Sequence, residues 1–355
     1  MSHYEQRLEH DLNSIRFGIA ELGLTVHAGL SNSIEALLTR NEDLAYATIL
    51  GDHPVNRKVD ALNQECHRFI AKHLPSAGHL RFISSSLRTI ILMERLGDYA
   101  STISKESVHL DIDLQGSFKN DLQTMAYDAL EMLADAVTSY KEQDEALAQK
   151  TTDVAKKVNR EFVTAYSDLV ELDASELERK DLFARLNILN LIERVSDQAK
   201  NLCEEVVFTK TGKTKQRRPF RLLFLDEKDD GATQIAVALC RKFYADRVTA
   251  HSAGSNPSSS MRSDIHDMCA SKGLDISGLD PSKMNTSDNA WKRHDVFICI
   301  DADTSDFMPK VPYGCSVVKW NIPAAADTST MFAFISEHVE SLVQLVRGPA
   351  MQSTS

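Results

Sequence analysis

Two segments of the chain repeat each other. "LMERLGDYASTI" (92–103) aligns with "LIERVSDQAKNL" (191–202), and each holds Glu-Arg-x-x-Asp. Upstream, "NEDLAYATILGDHPVNRKV" (41–59) aligns with "DEALAQKTTDVAKKVNREF" (144–162), so Val55-Asn56-Arg57 answers Val158-Asn159-Arg160. The separation between the matched segments differs between the copies by about one helical turn. Internal duplication of this kind limits the fold more than any propensity does, because each copy must fold into the same unit and stack on its twin. Apolar residues recur at three- and four-residue spacing through "EHDLNSIRFGIAELGLTVHAGLSNSIEALL", so the unit is helical. Breaks at "KHLPSAGHL" and near Gly116 divide the region into a duplicated unit of about three helices, six in all. The expected units are residues 1–110 and 111–208.

The texture then changes. Residues 209–220 hold Lys210, Lys213, Lys215, Arg217 and Arg218 without apolar periodicity, a basic linker. Such a segment is either solvated or makes at most a peripheral contact with an acidic membrane surface. From 221 to 346 short apolar runs alternate with helical stretches: "RLLFL", "TQIAVALCRKFYA", "VTAHSAG", "DVFICID", "CSVVKWNI" and "MFAFISEHVESLVQLVR". That alternation predicts an α/β doubly wound domain with a parallel sheet, followed by a tail at 347–355. A chain of 355 residues is too long for one ordinary core, which agrees with a multi-domain reading.

Composition removes several classes. A net charge of −11 disfavours nucleic acid as a partner. No apolar run reaches the roughly 20 residues that span a bilayer. "MSHYEQRLEHDLNSIRF" has no signal-peptide core, and six cysteines without framework spacing read as free thiols, so a cytoplasmic location is expected.

Glu94/Asp98 and Glu193/Asp197 stand four apart on helices, where carboxylates share a face and repel by about a few tenths of a kcal/mol. Glu94 and Asp98 continue the stripe of Leu87, Ile90 and Ile91; Glu193 and Asp197 continue that of Leu186 and Leu189. The repulsion recurs at equivalent places. It points to a cation, to a partner's arginines, or to an exposed acidic face that binds nothing. The duplicated unit, the "ERLGD"/"ERVSD" pair, the Pro75…Leu80-Arg81 segment and the exit "NLCEEVVFTKTGK" resemble the PhoU family over residues 1–213. The resemblance implies a six-helix regulator, mainly negative, of phosphate-specific transport and its sensor kinase. It also implies iron or another divalent or trivalent metal on Glu/Asp-x-x-x-Asp motifs. Carried over, the motifs fall on Glu94/Asp98 and Glu193/Asp197, with Asp52/Asn56 as the companion pair in the first copy. In the second copy the companion is Ala155/Asn159, which has no acid.

The second half has its own resemblance. "RLLFL" with its loop and helix, "AHSAGSNP", "SKGLDISGLDPSKMN" and "HDVFICID" look like low-molecular-weight tyrosine phosphatases and arsenate reductases over 221–346. Those enzymes use a cysteine after the first strand, an arginine six residues on, a following Ser or Thr, and a late aspartate as acid. Here the nucleophile position is Asp226 and the arginine position is Ala232; only Thr233 keeps its type. The late loop "WNIPAAAD" has Pro323-Ala324 where the acid belongs, with Asp327 as a substitute three residues on. The loop "LDEKDDGATQ" is acidic, which opposes a phosphate dianion. Asp226, Asp229 and Asp230 could instead hold a divalent cation, or the loop binds nothing.

The combined expectation is a non-enzymatic regulator of phosphate uptake. It would bind the nucleotide-binding subunit of the phosphate ABC transporter, the phosphate sensor kinase, or both, as a homo-oligomer such as a homodimer. Two alternatives stand beside it: a phosphatase or arsenate reductase with an unusual active site at Asp226, and a metal-storage helical protein.

Overall fold

The computed structural model describes residues 3–111, 113–171, 178–212, 218–284, 294–308, 311, 315–324 and 326–348. The expected linker residues 213–217 and the tail beyond Gly348 lie outside the described residues. Two compact units separate, Met1–Gln216 and Arg217–Ser355.

Among the described residues the first unit is six long helices: α1 (His3–Thr39), α2 (Glu42–His73), α3 (Ala77–His109), α4 (Gly116–Glu142), α5 (Glu145–Glu171) and α6 (Arg179–Thr211). The final helix enters the segment expected as linker. The duplication is visible in the turns. Arg40 (φ 58°) ends α1, and the Asn41 side chain accepts the Leu44 N–H at 3.0 Å. Gln143 (φ 54°) ends α4, and Asp144 accepts the Leu147 N–H at 3.0 Å. Each turn stops one helix in the left-handed region and caps the next with a side-chain oxygen. The expected break at "KHLPSAGHL" falls between α2 and α3, where Leu74 (φ 43°) precedes Pro75.

One continuous core runs through the six helices, with Ile15, Ile19 and Leu22 from α1, Ile83 and Ile90 from α3, Met125 and Leu133 from α4, and Ile188 and Leu202 from α6. Tyr140 is fully buried, and its hydroxyl meets Ser86 Oγ at 2.8 Å, joining α4 to α3. Burial pushes the Tyr140 phenol well above its ordinary range. Tyr140→Phe is expected to cost about 1 kcal/mol, the net worth of one buried hydrogen bond, read from urea unfolding of the full chain.

The second unit runs β1 (Phe220–Asp226), α7 (Ala232–Phe243), β2 (Val248–Gly254), α8 (Ser263–Ser271), β3 (Val296–Ile300), a 3₁₀ turn (Thr304–Asp306), β4 (Ser316–Trp320) and a closing helix, here α9 (Thr328–Arg347). Among the described residues all strand pairs are parallel, in the order β2-β1-β3-β4. β3 is buried along its whole length, as is the middle of β1, so these strands read as apolar runs rather than alternating ones. The order reverses beside β1, so the loop after Asp226 opens at the place where such sheets hold ligands. Two of the basic residues at the linker end are paired here: Arg218 and Arg221 both reach Asp295, at 2.8 and 3.1 Å.

Candidate functional site

In the helical unit the companion pair is in contact. Asn56 Nδ2 donates to Asp52 Oδ2 at 2.8 Å. Asp52 Oδ1 and Asn56 Oδ1 are buried and have no hydrogen-bond partner. Asp98 approaches from α3: burial raises its carboxyl above the ordinary value, Asp52's charge raises it further, and Lys105 opposes. Gly97 faces α2 here: a Cβ would stand a tight 3.1 Å from the Val55 side chain and an ordinary 3.6 Å from Asp52 Oδ1. Asp52 and Asn56 therefore present oxygen atoms at one place, with the exposed Asp98 near enough to feel Asp52's charge; oxygen donors of this kind suit a hard cation. Ile91, Glu94 and Asp98 are all exposed, so the stripe of Leu87, Ile90 and Ile91 that the two acids were expected to continue has opened to the surface at Ile91. In the second copy Glu193 and Asp197 are half-buried and Asn159 is exposed, while Ala155 supplies no oxygen. Burial raises Glu193, and Asp197 adds to it. Among the described residues, no three His, Cys, Asp or Glu side chains stand close enough to hold a metal. The fit is thus partial in the first copy, where Asn56 completes two acids, and poor in the second.

In the second unit the loop after β1 is held from both sides. Its carbonyls turn outward: Asp226 O, Glu227 O and Lys228 O accept the N–H groups of Ser255, Asn256 and Ser258 at 3.2, 2.8 and 2.9 Å. Asp230 O accepts from Arg262 N–H at 3.1 Å. Asp226 Oδ1 accepts the Asp229 N–H at 2.5 Å, and Oδ2 accepts the Thr233 hydroxyl at 3.2 Å. Burial pushes the Asp226 carboxyl up to about 6, against the lowering by the Asp229 N–H. Asp229 is wholly buried in the left-handed region (φ 51°) and accepts Ser282 N–H on Oδ2 at 2.9 Å. Asp230 accepts the Ser258 hydroxyl at 2.6 Å. The three carboxylates considered for a divalent cation are each engaged by donors around the loop, Asp226 and Asp229 sharing Thr233, and among the described residues they form no group that could hold a metal.

Thr233 sits where expected and is buried, and Ala232 offers the loop no charge. The thiols give no substitute nucleophile, since burial pushes Cys240 up to about 12 and Cys299 to about 11. Asp327 caps α9 by accepting the Thr330 N–H at 2.8 Å, and hydrogen bonds from Thr330, its side chain first and its N–H second, hold the carboxyl below the ordinary value, the reverse of what a general acid needs.

Two features escaped sequence reasoning. Arg262 reaches the loop from the start of α8, with Nη1 3.7 Å from the position a Gly231 Cβ would take, while it pairs with Asp264 at 2.6 Å. Also, α4 and α5 press carboxyls together: Asp128 against Glu161, and Asp121 against Asp168.

Residues 19–107 and 122–206 match the model of the PhoU domain. The helical half is a tandem of PhoU domains. The "Phosphate-specific transport system accessory protein PhoU" of Escherichia coli K12 is 27% identical over 228 residues, covering 64% of this chain and 92% of that one. The crystal structure of PhoU from Pseudomonas aeruginosa is similar at 25% identity and a TM-score of 0.55, covering 58% of this chain and 99% of that one. A thioredoxin-dependent arsenate reductase from Corynebacterium glutamicum is similar at 20% identity and a TM-score of 0.33, covering 64% of this chain and 98% of that one. The reading of the α/β half rests on its own sheet and loop and not on that last likeness. Within the PhoU tandem, the matched stretches hold Asp52, Asn56, Glu94, Asp98, Asn159, Glu193 and Asp197.

Proposed function

We propose that the chain is a negative regulator of phosphate uptake and phosphate-responsive signalling that acts by binding rather than by catalysis. The observation that carries this is the pair of PhoU domains, whose relatives are named accessory proteins of phosphate-specific transport. The partners would be the nucleotide-binding subunit of the transporter, the sensor kinase, or both, and the working form a homo-oligomer. No described thiol stands in the loop after β1, and Asp226 and Ala232 replace the two groups on which phosphoryl chemistry would depend. A regulatory metal, iron or another hard cation, would take Asp52, Asn56 and Asp98, with Glu94 one turn away. Glu193, Asp197 and Asn159 would form a weaker counterpart. The metal would supply positive charge to a surface that otherwise repels acidic partners.

Deleting the gene is expected to raise phosphate uptake, and the output of a phosphate-starvation reporter, in phosphate-replete cells. An unchanged phenotype, with protein confirmed in the parent strain, would sink the reading. Metal content of purified protein, compared with Asp52→Asn/Asp98→Asn, separates a metal-dependent regulator from a metal-free one.

A further inference from the structure

We propose that the α5–α6 face of the second copy docks an amphipathic helix of a partner protein, one that lays apolar side chains along α5 and sets an arginine or lysine beside Glu193 and Asp197. Duplication lets the same place be compared in two copies. Val158 answers Val55, so Val163, Tyr166 and Val170 answer Asp60, Asn63 and His67. The three stand at i, i+3 and i+7, one stripe of α5. They are 52, 45 and 65% exposed. On α6, Glu193 answers Glu94, so Phe183, 67% exposed, answers Ser84. The unit thus folds with polar residues at all four positions in the first copy. The second copy has apolar ones there and leaves them open to solvent. Apolar side chains that a fold neither needs nor buries mark a contact surface.

The chemistry of the occupant follows from what lies beside the stripe. In the first copy Val55 and Asp52 stand against Gly97. By duplication Val158 and Ala155 stand against Ser196, inside the Glu193/Asp197 motif. From Asn159 to Val170 the helix advances about 17 Å. α5 ends at Glu171 and α6 begins at Arg179, so Phe183 lies toward the Val170 end. The face is therefore acidic at one end and apolar along the rest. Glu193 and Asp197 are half-buried, whereas Glu94 and Asp98 are exposed. Burial and then Asp197 oppose the Glu193 charge, and the cations that bear on it, Arg194 and Lys200, belong to its own helix. Ala155 leaves this copy short of oxygens for a metal. A guanidinium or an ammonium meets two carboxylates without further ligands. The same acids repel an anionic membrane and nucleic acid, which leaves a basic protein segment as the fitting partner. The inference rests on the reading that the chain acts by binding a protein, and not on phosphate.

The probe is a synthetic helical peptide of about five turns, with leucines along one face and arginines at one end of it. It is labelled with a fluorophore and titrated with the full chain, with chelator present so that no metal bridges the two. A second peptide has glutamates in place of the arginines. Wild type is expected to bind the arginine peptide saturably and the glutamate peptide at least about tenfold more weakly. Val163→Asp/Tyr166→Asn/Val170→His, which installs the first copy's residues, is expected to weaken the arginine peptide at least about tenfold. Glu193→Gln/Asp197→Asn is expected to bring the two peptides to within about threefold of each other. Melting curves check folding, and Tyr166→Asn alone replaces the triple variant should that one not fold. The proposal is overturned if wild type does not bind the arginine peptide, if the stripe variant binds it as tightly as wild type, or if neutralising the acids leaves the preference between peptides unchanged. Sedimentation velocity adds one more outcome: a wild type that dimerises where the stripe variant is monomeric gives the face to a second copy and overturns the proposal too. None of these readouts involves phosphate, so failure here leaves the deletion phenotype as the separate test of the regulatory reading.

Discussion

Gly254→Ala is expected to destabilise the α/β half by about 2–3 kcal/mol, lowering its melting transition by several degrees. The residue ends β2 opposite Asp226, and its backbone conformation is one that alanine could adopt. The reason for glycine is space. A Cβ there would lie 2.8 Å from Glu227 O and 3.2 Å from Asp229 N, both backbone atoms. A flexible side chain could swing away from such a contact. This loop cannot, because its carbonyls are tied to Ser255, Asn256 and Ser258 and its Asp229 to Ser282. Gly254 is itself held, donating to Ser282 O at 2.8 Å and accepting from Met284 N–H at 3.2 Å. Differential scanning calorimetry of the full chain reads the effect. A variant melting with the wild type would mean that the loop gives way freely.

That close approach also marks where sequence reasoning stops. The six helices were legible because duplication and three-to-four periodicity report on the same thing, the face each helix buries. The break before α3 was legible because Pro75 lacks a backbone N–H and disfavours a helical residue before it, although Pro54 is carried inside α2 and Leu74 rather than a glycine takes the left-handed position. The parallel sheet was legible because "LLFL" and "VFICI" are apolar on both faces. Asp52 and Asn56 could be paired on paper, since residues four apart on a helix meet. Their approach to Asp98 depends on how α2 packs on α3, which sequence does not report. Glu94 and Asp98 were grouped by spacing, and both are exposed where the stripe has turned to solvent at Ile91. The loop's charge was legible, but its meaning was not. Counting Asp226, Asp229 and Asp230 as one acidic cluster hid the donors that hold them: Thr233 for Asp226 and Asp229, Ser282 for Asp229 and Ser258 for Asp230. Arg262 left no local signal at all, because the rim it occupies is built by a segment after the next strand.

The α4–α5 seam is of the same kind, a contact set by register, and it carries the second large expectation: Glu161→Gln should stabilise the helical half by ~1–2 kcal/mol near pH 8 and leave it unchanged near pH 5. In the first copy the residue aligned with Glu161 is Lys58, which pairs with Glu21 at 2.8 Å. In the second copy Glu161 meets Asp128 instead, with Glu161 Oε2 buried and without a hydrogen-bond partner. Burial first, and then the neighbouring Asp128, push Glu161 up from the ordinary 4.5 to about 7. The sign follows from that direction. The folded state favours the protonated form, so this stability is present in full below about 4.5 and is lost as the pH rises through about 7. Lys157 lies 2.5 Å from Asp128 and 3.6 Å from Glu161, and its charge keeps the repulsion from reaching its full size. Glutamine keeps the shape and removes the charge, so it should matter only where wild type is ionised. Urea unfolding of both proteins at the two pH values is the measurement. Equal stability near pH 8 would mean that Lys157 already neutralises the pair and that the seam is no weaker than its Lys58–Glu21 twin.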